Sequence, residues 1–172
     1  MPVVVGVDVS PDMLAQARVH ADERGLRHLQ LLPSDDALSA VHGEFDLVHS
    51  CITFQHIEMP RGRRLFARLL ELLTPGGMGA IQVTYAKAYL PDTFGQPPEA
   101  GLVVPRPPPP EPAPGAPPRD PEMQMNTYNL NELAFMLQSA GIKNVRTDFT
   151  DHGGELGVFL FFMKPAPPRA QG

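Results

Sequence analysis

Three short apolar runs in this chain each end on polar side chains able to hold a ligand. Val3 to Val7 runs into Asp8, His28 to Leu32 is followed by Ser34, Asp35 and Asp36, and Phe45 to Val48 leads to Ser50 and Cys51. If the runs are parallel strands, these residues gather at the strands' C-terminal ends, where open α/β sheets bind their ligands. A carboxylate at that place accepts two hydrogen bonds from neighbouring hydroxyls more strongly than a neutral side chain does. Asp8 is the best placed of the acids; the alternative role for it is helix capping beside Ser10. Asp35 and Asp36 read equally as ligand acceptors or as an acidic loop in which Ser34 forms a local turn, and spacing does not decide which of the two points inward. Cys51, with no basic partner nearby in sequence, reads as a small buried hydrophobe rather than a nucleophile. His56 carries an imidazole able to act as a general base at neutral pH. His20, His28, His42, His49 and His152 follow no ligand spacing, and no metal is expected.

The elements that must position these residues follow from the pattern. Val3–Val9 is β-branched and nearly all apolar, as a strand covered on both faces should be. Ser10-Pro11-Asp12 supplies an N-cap, a proline at the first helical position and an acid in the first turn, and Gly25 stops that helix. Strands are expected at His28–Leu32 and Phe45–Ser50. A helix over Met59–Leu73 presents Leu65, Phe66, Leu69, Leu70, Leu72 and Leu73 on one broad face. Thr74-Pro75-Gly76-Gly77 should end it and lead into a strand over Met78–Tyr85. Asn129 caps a last helix, with Glu132 placed as in a capping box. Val145–Thr150 and Gly157–Met163 then form an antiparallel pair around Asp151-His152-Gly153-Gly154. The expected architecture is α/β: a mostly parallel sheet with helices on both faces and a C-terminal antiparallel pair.

The 172 residues, 42% of them hydrophobic, suffice for one domain. Residues 1–164 form it, and 165–172 read as a frayed tail. Thirteen of the 21 prolines fall between Pro91 and Pro121, a stiff polyproline-type inserted loop. A net charge of −5 and a single basic cluster, Arg61, Arg63 and Arg64, argue against nucleic acid as a partner. No run approaches the roughly twenty apolar residues of a membrane span, and the start has no signal-peptide pattern. One cysteine excludes an internal disulfide and a cysteine zinc cage. A cytoplasmic location is the expectation.

Five segments, in this order, resemble class I S-adenosylmethionine-dependent methyltransferases: Val4–Leu14, Phe45–Val48 with Phe54-Gln55-His56-Ile57 after it, Leu72–Met78, Asn126-Thr127-Tyr128 with the helix that follows, and Ala140-Gly141-Ile142 with the final strand pair. The resemblance implies a Rossmann-like fold, S-adenosylmethionine as cofactor, S-adenosylhomocysteine as product and a small-molecule acceptor. It implies that Asp8 binds the ribose, that Val9 and Met13 pack on the adenine, and that Asp35 or Asp36 accepts from the adenine amino group. Ser50 would lie at the methionine end and His56 near the transferred methyl, with Gln55, Tyr85 and Tyr128 lining the acceptor site. For Met13, ordinary helix-face packing weighs the same.

The family's first strand and its Gly-x-Gly loop have no counterpart here; Gly6 is a lone glycine inside a strand. That first strand is the central one of the family's sheet, so two apolar edges should face each other. Three expectations follow: a start set too late or truncated, which the abrupt opening at Val3 favours; direct closure of the two edges; or a second copy docking there as a homodimer. Two other functions compete. One is a non-catalytic remnant or interaction module offering a sheet edge and a proline loop. The other is a nicotinamide-dependent dehydrogenase, against which the Thr74–Gly77 turn and the final strand pair argue.

Overall fold

The computed structural model describes residues 3–87 and 125–166. The proline-rich loop and most of the expected tail lie outside them. The elements are β1 (Val4–Asp8), α1 (Pro11–Glu23), β2 (Leu29–Pro33), β3 (Phe45–Ser50), a 3-10 turn (Phe54–His56), α2 (Met59–Glu71), β4 (Leu73–Lys87), α3 (Leu130–Ser139), β5 (Val145–Asp151) and β6 (Glu155–Met163). The α/β, Rossmann-like expectation holds, in the form of two sheets. β1 and β2 pair in parallel, from Val4 opposite Leu29 to Asp8 opposite Pro33. The other four strands are ordered β3-β4-β6-β5, with β3–β4 parallel and the rest antiparallel. Direct closure is the expectation the structure overturns: among the described residues β1 pairs with β2 alone and β3 with β4 alone.

Local rules account for the ends of α1. The Ser10 hydroxyl accepts from Met13 N at 3.3 Å, Pro11 opens the helix, and Gly25 follows it with φ +66°. At α3 the expected capping box does not form. Asn129 accepts from Asn131 N at 3.0 Å, but Glu132 turns away to pair with Arg63 at 3.1 Å. The Thr74–Gly77 turn also differs from expectation, since it lies inside β4 rather than ahead of it. Phe45 pairs with Leu73 and Leu47 with Met78, so the extra residues bulge out of the ladder, with Gly76 at φ +86°. Lys164 secures this junction. Its ammonium donates to Leu70 O at 3.0 Å and Leu73 O at 2.7 Å, capping the C-terminal end of α2, where a cation is favoured.

Cross-strand partners share a face. Val48, Gly79 and Phe162 line up on the face that α2 and α3 cover, and there Phe66, Leu70, Leu133, Leu137, Ile81, Val158 and Leu160 make the main core. Leu47, Met78 and Met163 line up on the opposite face, which is open at this end, Leu47 being 56% exposed and Met163 57%, whereas Gln82 and Thr84 farther along β4 are buried. The two sheets are joined through the β2–β3 connection. Leu38 and Val41 plug against Leu72, touching Leu32 of β2, Phe45 of β3 and Leu65 and Leu69 of α2.

This division of faces makes a contrast that chemical denaturation can read. Phe66→Ala should cost about 3–5 kcal/mol, the range for a large side chain removed from a packed core. Met163→Lys should stay within about 0.5 kcal/mol. Equal losses would contradict the assignment of the covered face.

Candidate functional site

The C-terminal ends of β1, β2 and β3 converge with the start of α2 on one cavity of about 710 Å³. Asp8, Val9, Asp35, Asp36, Ser50 and His56, all singled out in the sequence, line it together. Asp8 Oδ1 accepts from Ser10 N at 2.8 Å, which fixes the carboxylate, while its backbone carbonyl accepts from Ser34 N at 2.9 Å and ties β1 to the β2 loop. Val9 is 73% exposed at the cavity rim, an apolar side chain open to a planar group. Met13 is partly exposed on α1 and is not among the lining residues.

The two acids after β2 divide their work. Asp35 Oδ1 accepts from Ser39 N at 2.8 Å and Ala37 N at 3.0 Å, and these donors hold its carboxyl below the usual carboxylate range. Asp36 takes the Arg61 guanidinium, from Nη2 at 2.7 Å and Nε at 2.9 Å, with Arg64 Nη2 at 3.4 Å. The hydrogen bonds from Arg61 chiefly lower the Asp36 carboxyl. Asp36 therefore ties the β2 loop to α2 across the cavity mouth. The basic cluster, expected to be a solvated face, supplies that tie.

The far wall is the connection from Cys51 to Ile57. Cys51 is exposed and lines the cavity, which corrects the expectation of a buried hydrophobe: β3 ends at Ser50 and the chain turns outward after it. The next residue, Ile52, has φ +55°. A β-branched side chain rarely takes that left-handed conformation. Buried polar groups hold the connection from behind. Gln82 Oε1 accepts from Ile52 N at 2.9 Å, and Thr84 Oγ1 donates to Gln55 Oε1 at 3.1 Å. Gln55 Nε2 then stands 3.3 Å from His56 Nε2. The Tyr128 hydroxyl donates to Ile57 O at 2.7 Å, with Phe54 O at 3.1 Å, and a Cβ on Gly62 would collide with that hydroxyl.

Gln55 and Tyr128, expected to line an acceptor site, are thus buried supports behind the wall. Tyr85 packs edge-on against Phe149 at 5.5 Å and is not among the lining residues. Sequence reasoning missed Arg61, Ile52, Gln82 and Thr84. For the last two a signal existed: polar residues two apart inside an otherwise apolar strand ask for buried partners. Among the described residues no group of His, Cys, Asp and Glu could hold a metal ion, and no helix is long and apolar enough to cross a membrane.

Comparison with known proteins agrees with this geometry. Residues 2–77 match the family profile described as a methyltransferase domain. Magnesium protoporphyrin IX methyltransferase from Synechocystis PCC 6803, solved with S-adenosylhomocysteine, superposes with a TM-score of 0.65 at 15% identity, over 94% of this chain and 64% of that one. An S-adenosylmethionine-dependent methyltransferase from Methanosarcina mazei gives 0.64 at 17% identity, over 96% and 83%. The N-methyltransferase NodS from Bradyrhizobium japonicum WM9, also with S-adenosylhomocysteine, gives 0.59 at 14% identity, over 95% and 67%. The chain spans less than two thirds of the length of the Synechocystis enzyme. No curated protein matches it.

Burial pushes the Tyr128 hydroxyl up to about 12. Its contribution to stability is therefore full below about pH 10 and drains away as the pH rises toward about 12, because the unfolded chain gives up the proton first. Tyr128→Phe should lower stability at neutral pH by about 1–2 kcal/mol, since the hydroxyl's hydrogen bond to Ile57 O is lost. It should also flatten the alkaline decline seen in unfolding midpoints. A decline of unchanged steepness in the variant would contradict the assignment.

Proposed function

We propose that this chain, whose fold is that of the class I S-adenosylmethionine-dependent methyltransferases, binds S-adenosylmethionine at the C-terminal ends of β1–β3 and serves methyl transfer to a small molecule. One observation carries the reading: Asp8, oriented by Ser10, ends β1 in the wall of a cavity that β2 and β3 also close. Its Oδ2 has no hydrogen-bond partner among the described residues, so the carboxylate can accept from ribose hydroxyls. Val9 at the rim offers an apolar surface to the adenine, and Ser34 to Asp36 bound the same end. Ser50 and Ile52 border the end that would take the methionine part.

The cofactor's sulfonium would supply the activated methyl group, so the protein's task is alignment and exclusion of water. The Cys51–Ile57 wall, held rigidly by Gln82, Thr84 and Tyr128, suits that task. His56, anchored by Gln55 at 3.3 Å, faces the cavity as part of this wall. An acceptor that carries its own nucleophilic oxygen or nitrogen needs no more from the chain than a shaped approach.

Titration calorimetry with S-adenosylhomocysteine tests the reading. The chain should bind it, and Asp8→Ala should weaken binding by about 10- to 150-fold, equivalent to about 1.5–3 kcal/mol for hydrogen bonds to a charged group. Unchanged affinity in the variant would remove Asp8 from the site.

A second reading rests on a different observation. Among the described residues β1 and β3 are each paired along one side only, and Val4, Val7 and Leu47 near those edges are exposed. Two free parallel edges suit an extended segment that adds by backbone pairing, from a second copy or another chain. Light scattering across a hundredfold range of concentration (roughly 1–100 μM) separates these sources. A dimer that grows with concentration supports self-pairing, and a monomer throughout removes it.

A further inference from the structure

We infer that Gln82 is the positioning residue for the turn at Cys51–Thr53, and that on the cofactor-binding reading above it thereby sets the shape of the pocket's methionine end. Three independent features meet at this side chain. Ile52 holds a left-handed backbone conformation, φ +55°, that an isoleucine does not choose unaided. Its N–H donates to Gln82 Oε1 at 2.9 Å, thirty residues away on β4. Across the sheet, Gly157 of β6 leaves the room that the Gln82 amide occupies, since a Cβ there would collide with Nε2.

The choice of glutamine has a cost that, among the described residues, this contact offsets. Gln82 is 1% exposed, and its Nε2 has no hydrogen-bond partner among the described residues. An aliphatic residue in the same strand would bury itself without leaving a donor unsatisfied. The amide oxygen, however, is what satisfies Ile52 N at the point where β3 has ended and the ladder to β4 no longer serves it. β4 thus reaches past its own pairing to specify a conformation in the neighbouring loop. Ile52 lines the cavity, so its direction is part of the pocket wall.

The test uses the full chain with three variants: Gln82→Leu, Gln82→Leu with Ile52→Gly, and Gly157→Ala. Amide exchange at Ile52, read by proton–nitrogen NMR, reports the contact without reference to any ligand. Calorimetry with S-adenosylhomocysteine reports the pocket. Gln82→Leu should accelerate exchange at Ile52 and weaken binding by roughly tenfold. Gln82→Leu should also lower the denaturation midpoint, and the added Ile52→Gly should recover part of that loss, because glycine takes the left-handed conformation without strain. A role confined to packing would show no such recovery. Gly157→Ala displaces the amide instead of deleting it, and should accelerate exchange at residue 52 even if Gln82→Leu proves too unstable to study. Unchanged Ile52 protection in both Gln82→Leu and Gly157→Ala would overturn the inference. So would a double variant no more stable than Gln82→Leu alone. Failure of the unmodified chain to bind S-adenosylhomocysteine would overturn the cofactor reading instead, and the exchange data would still decide the part played by Gln82.

Discussion

The ligand end of this fold depends on where residues 51–57 go. They leave the end of β3 and enter α2 with one 3-10 turn between, whose internal bonds, His56 N to Thr53 O and Ile57 N to Phe54 O, leave the rest of the segment to outside partners. Their conformation is imposed from outside, by Gln82 and Thr84 on β4 and by Tyr128 ahead of α3. Gln82, Thr84 and Tyr128 are themselves buried, so losing one of these contacts would leave its polar side chain unsatisfied in the interior. The segment before α3 adds its own backbone: Asn126 N donates to Gln55 O, and Tyr128 N donates to Thr84 O, both at 2.7 Å. Strand β4, the 51–57 connection and the entry to α3 are thereby locked as one unit. That unit forms a wall of fixed shape opposite Asp8.

A second constraint is the join between the two sheets. The β1–β2 pair carries Asp8 and the adjoining acids, while the four-stranded sheet carries the wall, and no β-ladder among the described residues connects them. Their relation rests on the Leu38–Val41 plug and on the Asp36–Arg61–Arg64 ion cluster. The plug is apolar and buried. The ion pairs are partly exposed, so they steer the geometry more than they stabilise it. Apolar side chains open to solvent on β1 and on the uncovered face of the larger sheet mark where this fold has surface for further contacts.

Much of this was legible in the sequence, and the reason is the locality of the rules involved. Asp8, Asp35, Asp36 and Ser50 follow apolar runs, and strand ends on one side of a parallel arrangement meet at one cavity. Ser10, Pro11 and Gly25 mark α1 because capping depends on residues within one turn of each other. What escaped was decided across the fold. Glu132 had the spacing of a capping box but found Arg63, sixty-nine residues away, a better partner. Cys51 had the composition of a core residue but sits past the end of its strand. Gln55 and Tyr128 were polar and near the right motifs, yet burial turned them into supports. Nothing local to Ile52 announces a positive φ; only Gln82, buried among apolar neighbours on β4, hinted that some distant group needed an acceptor.

The most direct test of the account is to map S-adenosylhomocysteine onto the chain by NMR chemical-shift perturbation. The account predicts that the shifts cluster at Asp8–Ser10, Ser34–Asp36 and Ser50–Ile52, on both sides of the one cavity, and spare the open sheet face around Met78 and Met163. Shifts centred on that open face, or none at any residue of the folded chain, would contradict it.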